Sequence, residues 1–152
     1  MSAKEIPAMA HQKSLPQGEH FPHDADMGIR GIGASKSEAF EQTALGMMSV
    51  IVDLQTVTPR VKVRVTCEAP DDELLLVDWL NALVYEMDNR KMVFGRFEVS
   101  LHDHQLEGIA WGEPVDRKRH QPAVEVKGAT YTELRVYQNP TGNWVAQCVV
   151  DV

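Results

Sequence analysis

The sequence predicts an α+β fold: two helices packed on one face of a mostly antiparallel β-sheet, within a single domain. Three observations lead there. Two stretches place apolar residues at helical spacing, several short stretches alternate apolar with polar residues, and everything after residue 93 is of the alternating kind. A chain of 152 residues suits one domain with its own core, and 43% hydrophobic with 24% charged residues is an ordinary globular composition.

Residues 1–19 hold two prolines and no periodicity, so they are expected to form a mobile arm ahead of a domain spanning 20–152. A first strand is expected over 27–33, closed by Gly31 and Gly33. Ser35-Lys36-Ser37-Glu38 then reads as a capping box, with the Ser35 hydroxyl accepting from the Glu38 N–H and Glu38 reaching back to the Ser35 N–H. The helix it starts should run over 36–51, with Phe40, Ala44, Met47, Met48 and Ile51 on its apolar face. Residues 61–67 alternate as a half-buried strand.

A second helix should begin at Pro70-Asp71-Asp72, where acidic residues favour the positive end of the helix dipole, and continue to about 88. Leu76, Leu80, Leu83, Val84 and Met87 form its buried stripe. Strands are expected over 93–101, 105–111, 123–126, 130–138 and 143–151. Asn139-Pro140-Thr141-Gly142 signals the turn of the last hairpin. With Gly142 left-handed, Val136 faces Ala146, Leu134 faces Cys148 and Asp151 faces Tyr131.

Charge narrows the function. Against 22 Asp+Glu stand 15 Lys+Arg, a net charge of −7, so strong direct binding of nucleic acid through its phosphates is not expected. No apolar run approaches the roughly 20 residues of a membrane helix, and no apolar leader opens the chain. Cys67 and Cys148 lie inside strand-like stretches, which fits a soluble protein of a reducing compartment, the cytoplasm.

The densest chemical cluster is His23-Asp24-Ala25-Asp26. Asp24 and Asp26, two residues apart, share a side if the segment is extended and could begin a site for a hard cation, which wants several oxygen ligands. A solvated acidic turn is the alternative. The last hairpin adds Asp151 and Val152, and a strand break at Gly128 could bring the Lys127 ammonium near Asp151. His102-Asp103-His104 could ligate a transition metal but reads better as a polar hairpin tip. The basic run Asp116-Arg117-Lys118-Arg119-His120 is a solvated loop that could meet a phosphate or an acidic partner. Gly28, Gly31 and Gly33 do not make a dinucleotide fingerprint, because Lys36 stands where its last glycine belongs. Neither cysteine sits at an activating helix N-terminus, and no nucleophilic triad has local support. One catalytic reading is open: Asp24 and Asp26 as nucleophile and acid of a metal-dependent phosphatase. That chemistry needs a doubly wound sheet, which the strand and helix order does not suggest.

The segment HDADMGIRGIG with SKSEAFEQTALGMMSVI resembles the opening of the archease proteins, whose usual form is an H-T-A-D strand followed by an E-E-A-F helix. The stretches LLLVDWLNALVYEMD, RHQPAVEVKGATYTELRV and CVVDV are similar in the same order, so the likeness covers about residues 19–152. Asp24 replaces the family's usual Thr, and Gly128 its more common Ala. The resemblance implies a non-catalytic helper of the RtcB-type RNA ligase of tRNA splicing and RNA repair, favouring guanylylation of the ligase and repeated turnover. It maps a divalent-metal site, calcium first with magnesium or manganese as alternatives, onto Asp26, Asp151 and Val152, with Asp24 a possible extra ligand. It assigns ligase activation to Lys127, and leaves His23, Arg119 and His120 as supporting or partner contacts. A wider role as chaperone of an RNA-modifying enzyme, such as a methyltransferase, is the rival within the same class.

Overall fold

A computed structural model describes residues 16–23 and 26–152. Its strands and helices are β1 (Gln17–His23), β2 (Asp26–Gly33), α1 (Lys36–Ile51), β3 (Val61–Glu68), α2 (Asp72–Arg90), β4 (Met92–His102), β5 (Gln105–Pro114), the single turn α3 (Arg117–His120), β6 (Gly128–Ala129), β7 (Arg135–Gln138) and β8 (Trp144–Asp151). A 3-10 turn, Leu54–Thr56, follows α1.

The fold is α+β, and its strands divide into two sheets rather than one. The first runs β1-β2-β8-β6, with β7 also on β8; the second runs β3-β5-β4. Every pairing is antiparallel among the described residues. The two helices lie between the sheets. α1 packs on β1, β2 and β8 and also on β4, while α2 packs on β3 and reaches β6 and β7. Leu75, Leu76, Trp79, Leu80 and Leu83 of α2 join Phe40, Ala44, Met47 and Met48 of α1 in a single core.

α1 follows its sequence pattern. Ser35 accepts from the Glu38 N–H at 3.1 Å, as the capping box requires. Glu38 reaches one residue further back than expected, to the Ala34 N–H at 2.7 Å. A Cβ on Gly31 would collide with the Ala39 carbonyl and Thr43, so glycine there lets the helix backbone lie directly on β2. The Thr43 hydroxyl stands 2.7 Å from the Ala39 carbonyl and 3.1 Å from that of Ala146, tying helix to β8. In α2 the Trp79 indole donates to the Phe40 carbonyl at 3.1 Å and meets Phe97 edge-on, with ring centroids 6.0 Å apart. Asp71 caps that helix, as its acidic start implies, and Lys91 closes it in the left-handed region at φ 56°.

Three sequence expectations are corrected. β1 was not expected, and it begins inside the stretch read as an arm; its polar residues and Pro22 hide a strand that survives because it lies at the sheet edge. Glu19 pairs with Arg30 at 3.0 Å, and Arg30 stacks on Phe21 at 4.8 Å, fastening this edge to β2. Residues 123–126 alternate like a strand but join no ladder. The expected strand over 130–138 is interrupted: the chain turns over 131–134, with Glu133 at φ 53° and the Leu134 N–H donating to the Tyr131 carbonyl at 3.3 Å. Beyond that turn the expected facing of Val136 with Ala146 holds, but before it the register has moved by three residues. Asp151 therefore faces Gly128 and not Tyr131.

Candidate functional site

One end of the first sheet gathers residues that are far apart in sequence. Asp26 opens β2, Asp151 closes β8, and β6 begins at Gly128. Met27 pairs with Val150, and carrying that register one residue further sets Asp26 across from Asp151. Gly31 faces α1, so by alternation both aspartates occupy the face turned away from that helix. Asp26 is half-buried and Asp151 exposed. Neither makes an ion pair among the described residues.

Like charges opposed across a ladder repel, and a bound cation would relieve that cost. Carboxylate oxygens suit a hard ion such as calcium. Among the described residues no group of three His, Cys, Asp or Glu side chains is placed to hold a metal, so these two carboxylates need main-chain oxygens, Val152 or water to fill a shell. Asp24 lies outside the described residues. The register pairs His23 with Asp26 across the β1–β2 hairpin, but the side chain of His23 also falls outside them.

No break falls at Gly128, which opens β6 and pairs with Asp151; Lys127, one residue before it, meets Asp151 through its backbone and not its ammonium. The Lys127 N–H donates to the Asp151 carbonyl at 2.7 Å. Asn81 of α2 holds the neighbouring turn in place by accepting from the Ala129 N–H at 2.8 Å. Lys127 is exposed, forms no ion pair with Asp151, and lines a groove against α2 and β4.

Arg119 and His120 are placed elsewhere, around a carboxylate that sequence reasoning missed. Glu113 of β5 is 1% exposed and accepts from the Thr58 N–H at 2.8 Å. Arg119 reaches it at 2.7 Å and Arg60 at 3.4 Å. His120 is 2% exposed. Its Nδ1 accepts from the Asp116 N–H at 2.8 Å, so Nε2 carries the proton and donates to Glu113 at 2.9 Å. The Thr58 N–H, His120 and the two guanidiniums together outweigh burial and hold the Glu113 carboxyl down at about 2. This is a saturated structural knot. A glutamate within the apolar pattern of β5, four to seven residues before a basic run, was the available signal for it.

The remaining candidates are quiet. His102, Asp103 and His104 are exposed at the β4–β5 tip, where Asp103 adopts φ 56°, as a polar hairpin turn should. Burial pushes the Cys67 thiol up to about 11 and that of Cys148 to about 12, so neither is a nucleophile at neutral pH. With no parallel pairing among the described residues, the scaffold that the phosphatase reading needs is missing. Among those residues no helix is long and apolar enough to cross a membrane.

Comparison with known proteins shows the family. Residues 19–152 match the model of the Archease protein family. "Protein archease" of Pyrococcus furiosus is 39% identical over 142 residues, spanning 91% of this chain and all of that one. Its counterpart in Thermococcus gammatolerans is 41% identical over 138 residues, spanning 88% of this chain and 97% of the other. The solution structure of Methanobacterium thermoautotrophicum protein 1598 superposes with a TM-score of 0.73 at 28% identity, covering 89% of this chain and 98% of that one. A match across the whole folded domain, in sequence and in architecture, makes this chain a member of the archease family.

Proposed function

We propose that this protein is a non-catalytic activator of an RtcB-type RNA ligase, acting in the cytoplasm in tRNA splicing or RNA repair by promoting guanylylation of the ligase and its repeated turnover. Family membership supports the reading, and one observation carries it: Asp26 and Asp151 oppose each other on adjacent strands while the Lys127 backbone is bonded to Asp151.

The roles follow from the chemistry of each group. Asp26 and Asp151 supply carboxylate oxygens for a divalent cation, calcium first, with the oxygens of Val152 beside them. A bound cation supplies positive charge that offsets the repulsion of the two carboxylates. Asn81 and the Lys127–Asp151 hydrogen bond fix the start of β6, so Lys127 is presented from a held backbone on an otherwise exposed side chain. An ammonium so placed is free to meet a phosphate or carboxylate of the ligase.

The test is multiple-turnover ligation and ligase guanylylation with Asp26→Ala, Asp151→Ala and Lys127→Ala proteins shown to be folded. Stimulation should fall at least tenfold in each. Full stimulation by all three would overturn the assignment.

A further inference from the structure

The groove that Lys127 lines has a volume of about 650 Å³ and runs between α2, the start of β4 and the segment leading to β6. Its floor is apolar, with Ile51, Met92, Val93 and Val126 all at 8% exposure or less. Two exposed apolar side chains stand on its rim. Tyr85 is 63% exposed and Val124 41%, two of the four large apolar side chains so exposed among the described residues. Three cations line it: Lys91, Arg117 and Lys127. Asp88 and Glu125 oppose them, but Asp88 stands 4.0 Å from Lys91, and Arg117 and Lys127 make no ion pair among the described residues. In a chain of net charge −7 this is a place where an acidic partner is not repelled.

A second observation points to the form of that partner. Residues 122–126, Pro-Ala-Val-Glu-Val, have the alternation of a strand, yet they belong to no sheet. The Ala123 N–H donates to the Ile51 carbonyl at 2.8 Å, whereas Val124, Glu125 and Val126 make no backbone hydrogen bond among the described residues. A segment of strand-like alternation whose N–H groups at 124–126 are unbonded among the described residues, beside an apolar groove, is a template for strand addition.

We infer that this groove docks an extended segment of the partner ligase, which pairs with residues 122–126 as an added strand and brings an apolar anchor with acidic neighbours. The inference rests on the activator reading above and names the surface that reading leaves open. Tyr85 and Val124 grip the anchor, Arg117 and Lys127 face the acidic neighbours, and the main chain at 124–126 supplies the ladder. Affinity then resides in the groove, and activation in the end of the sheet beside it.

Hydrogen–deuterium exchange of the full chain, alone and with the ligase of the same organism, tests the ladder directly. The amides of Val124 and Val126, which share the edge opposite the Ala123–Ile51 bond, should exchange at least tenfold more slowly in the complex than in the protein alone. Titration of ligase guanylylation tests the groove. Tyr85→Ala and Val124→Pro, the latter removing one backbone donor, should raise the half-saturating concentration at least tenfold yet reach wild-type stimulation at saturation. Val124→Ile, which keeps the donor and the apolar branched contact, should stay within twofold. A wild-type protein that stimulates the ligase while Val124 and Val126 gain no protection and Tyr85→Ala binds normally would overturn the docking site and leave the activator reading standing. A wild-type protein that neither binds nor stimulates would overturn both.

Discussion

Two charged regions of this molecule obey opposite rules. Around Glu113 a buried carboxylate is saturated: a backbone N–H, a neutral imidazole and two guanidiniums converge on it. At the end of the first sheet, Asp26 and Asp151 face each other and neither they nor Lys127 make an ion pair among the described residues. Saturated charge holds a fold together, since each group already has its partner and little remains for a ligand. Unanswered charge gathered by tertiary structure from separate parts of the chain is held at a cost, and it is where a cation or partner belongs. The contrast also shows why a basic run is a poor guide by itself. The run 116–120 reads as a solvated loop, yet His120 is buried against Glu113, and the half-exposed Arg119 reaches the same carboxylate.

The largest effect should come from breaking the saturated region. Glu113→Ala leaves the Thr58 N–H and His120 without their acceptor, and should cost about 2–3 kcal/mol by urea denaturation, with the half-exposed arginines adding little. A loss under about 0.5 kcal/mol, the usual effect of a surface substitution, would erase the distinction drawn here. Asp151→Ala and Lys127→Ala should do the reverse, keeping stability within about 0.5 kcal/mol while ligase stimulation falls about tenfold, or about 1.4 kcal/mol.

Acid sharpens the same contrast. The Glu113 carboxyl is held at about 2 in the fold against an ordinary 4.5, so its stabilisation is complete above about 4.5 and disappears as pH falls towards 2. The stability gap between the wild type and Glu113→Gln should be constant above that window and shrink inside it; a gap independent of pH would show the carboxylate to be unshifted. The smallest effect concerns the cation. Calcium at ten times its Kd should stabilise the wild type by about 1.4 kcal/mol, a rise in Tm of about 3–6 °C, and should do nothing for the Asp26→Asn, Asp151→Asn double variant. An equal rise in both proteins would remove the metal from this pair.

Local signals were legible where a short stretch carries its own reason for its shape. Ser35 and Glu38 set the start of α1, and the apolar face carried it to Ile51 as expected. Asn139 and Gly142 set the last turn: Gly142 adopts φ 90°, and the Asn139 carboxamide oxygen accepts from the Thr141 and Asn143 N–H groups. Residues 123–126 misled, because alternation reports an amphipathic surface and not the presence of a neighbouring strand to bond. β1 misled in the opposite sense, as an edge strand can be polar and contain proline.

By itself, the sequence determined the α+β class, both helices, the final hairpin and the identity of the candidate residues, since capping, periodicity and turn chemistry act within a few residues of each other. Only the tertiary structure decided which charges stand together. The pairing of β3 with β5 brought Thr58 and Arg60 to Glu113, and a turn at Glu133 moved the register by three so that Asp151 met Gly128 and the backbone of Lys127. The pairing of β2 with β8 joins residues more than a hundred positions apart, and no local pattern encodes it.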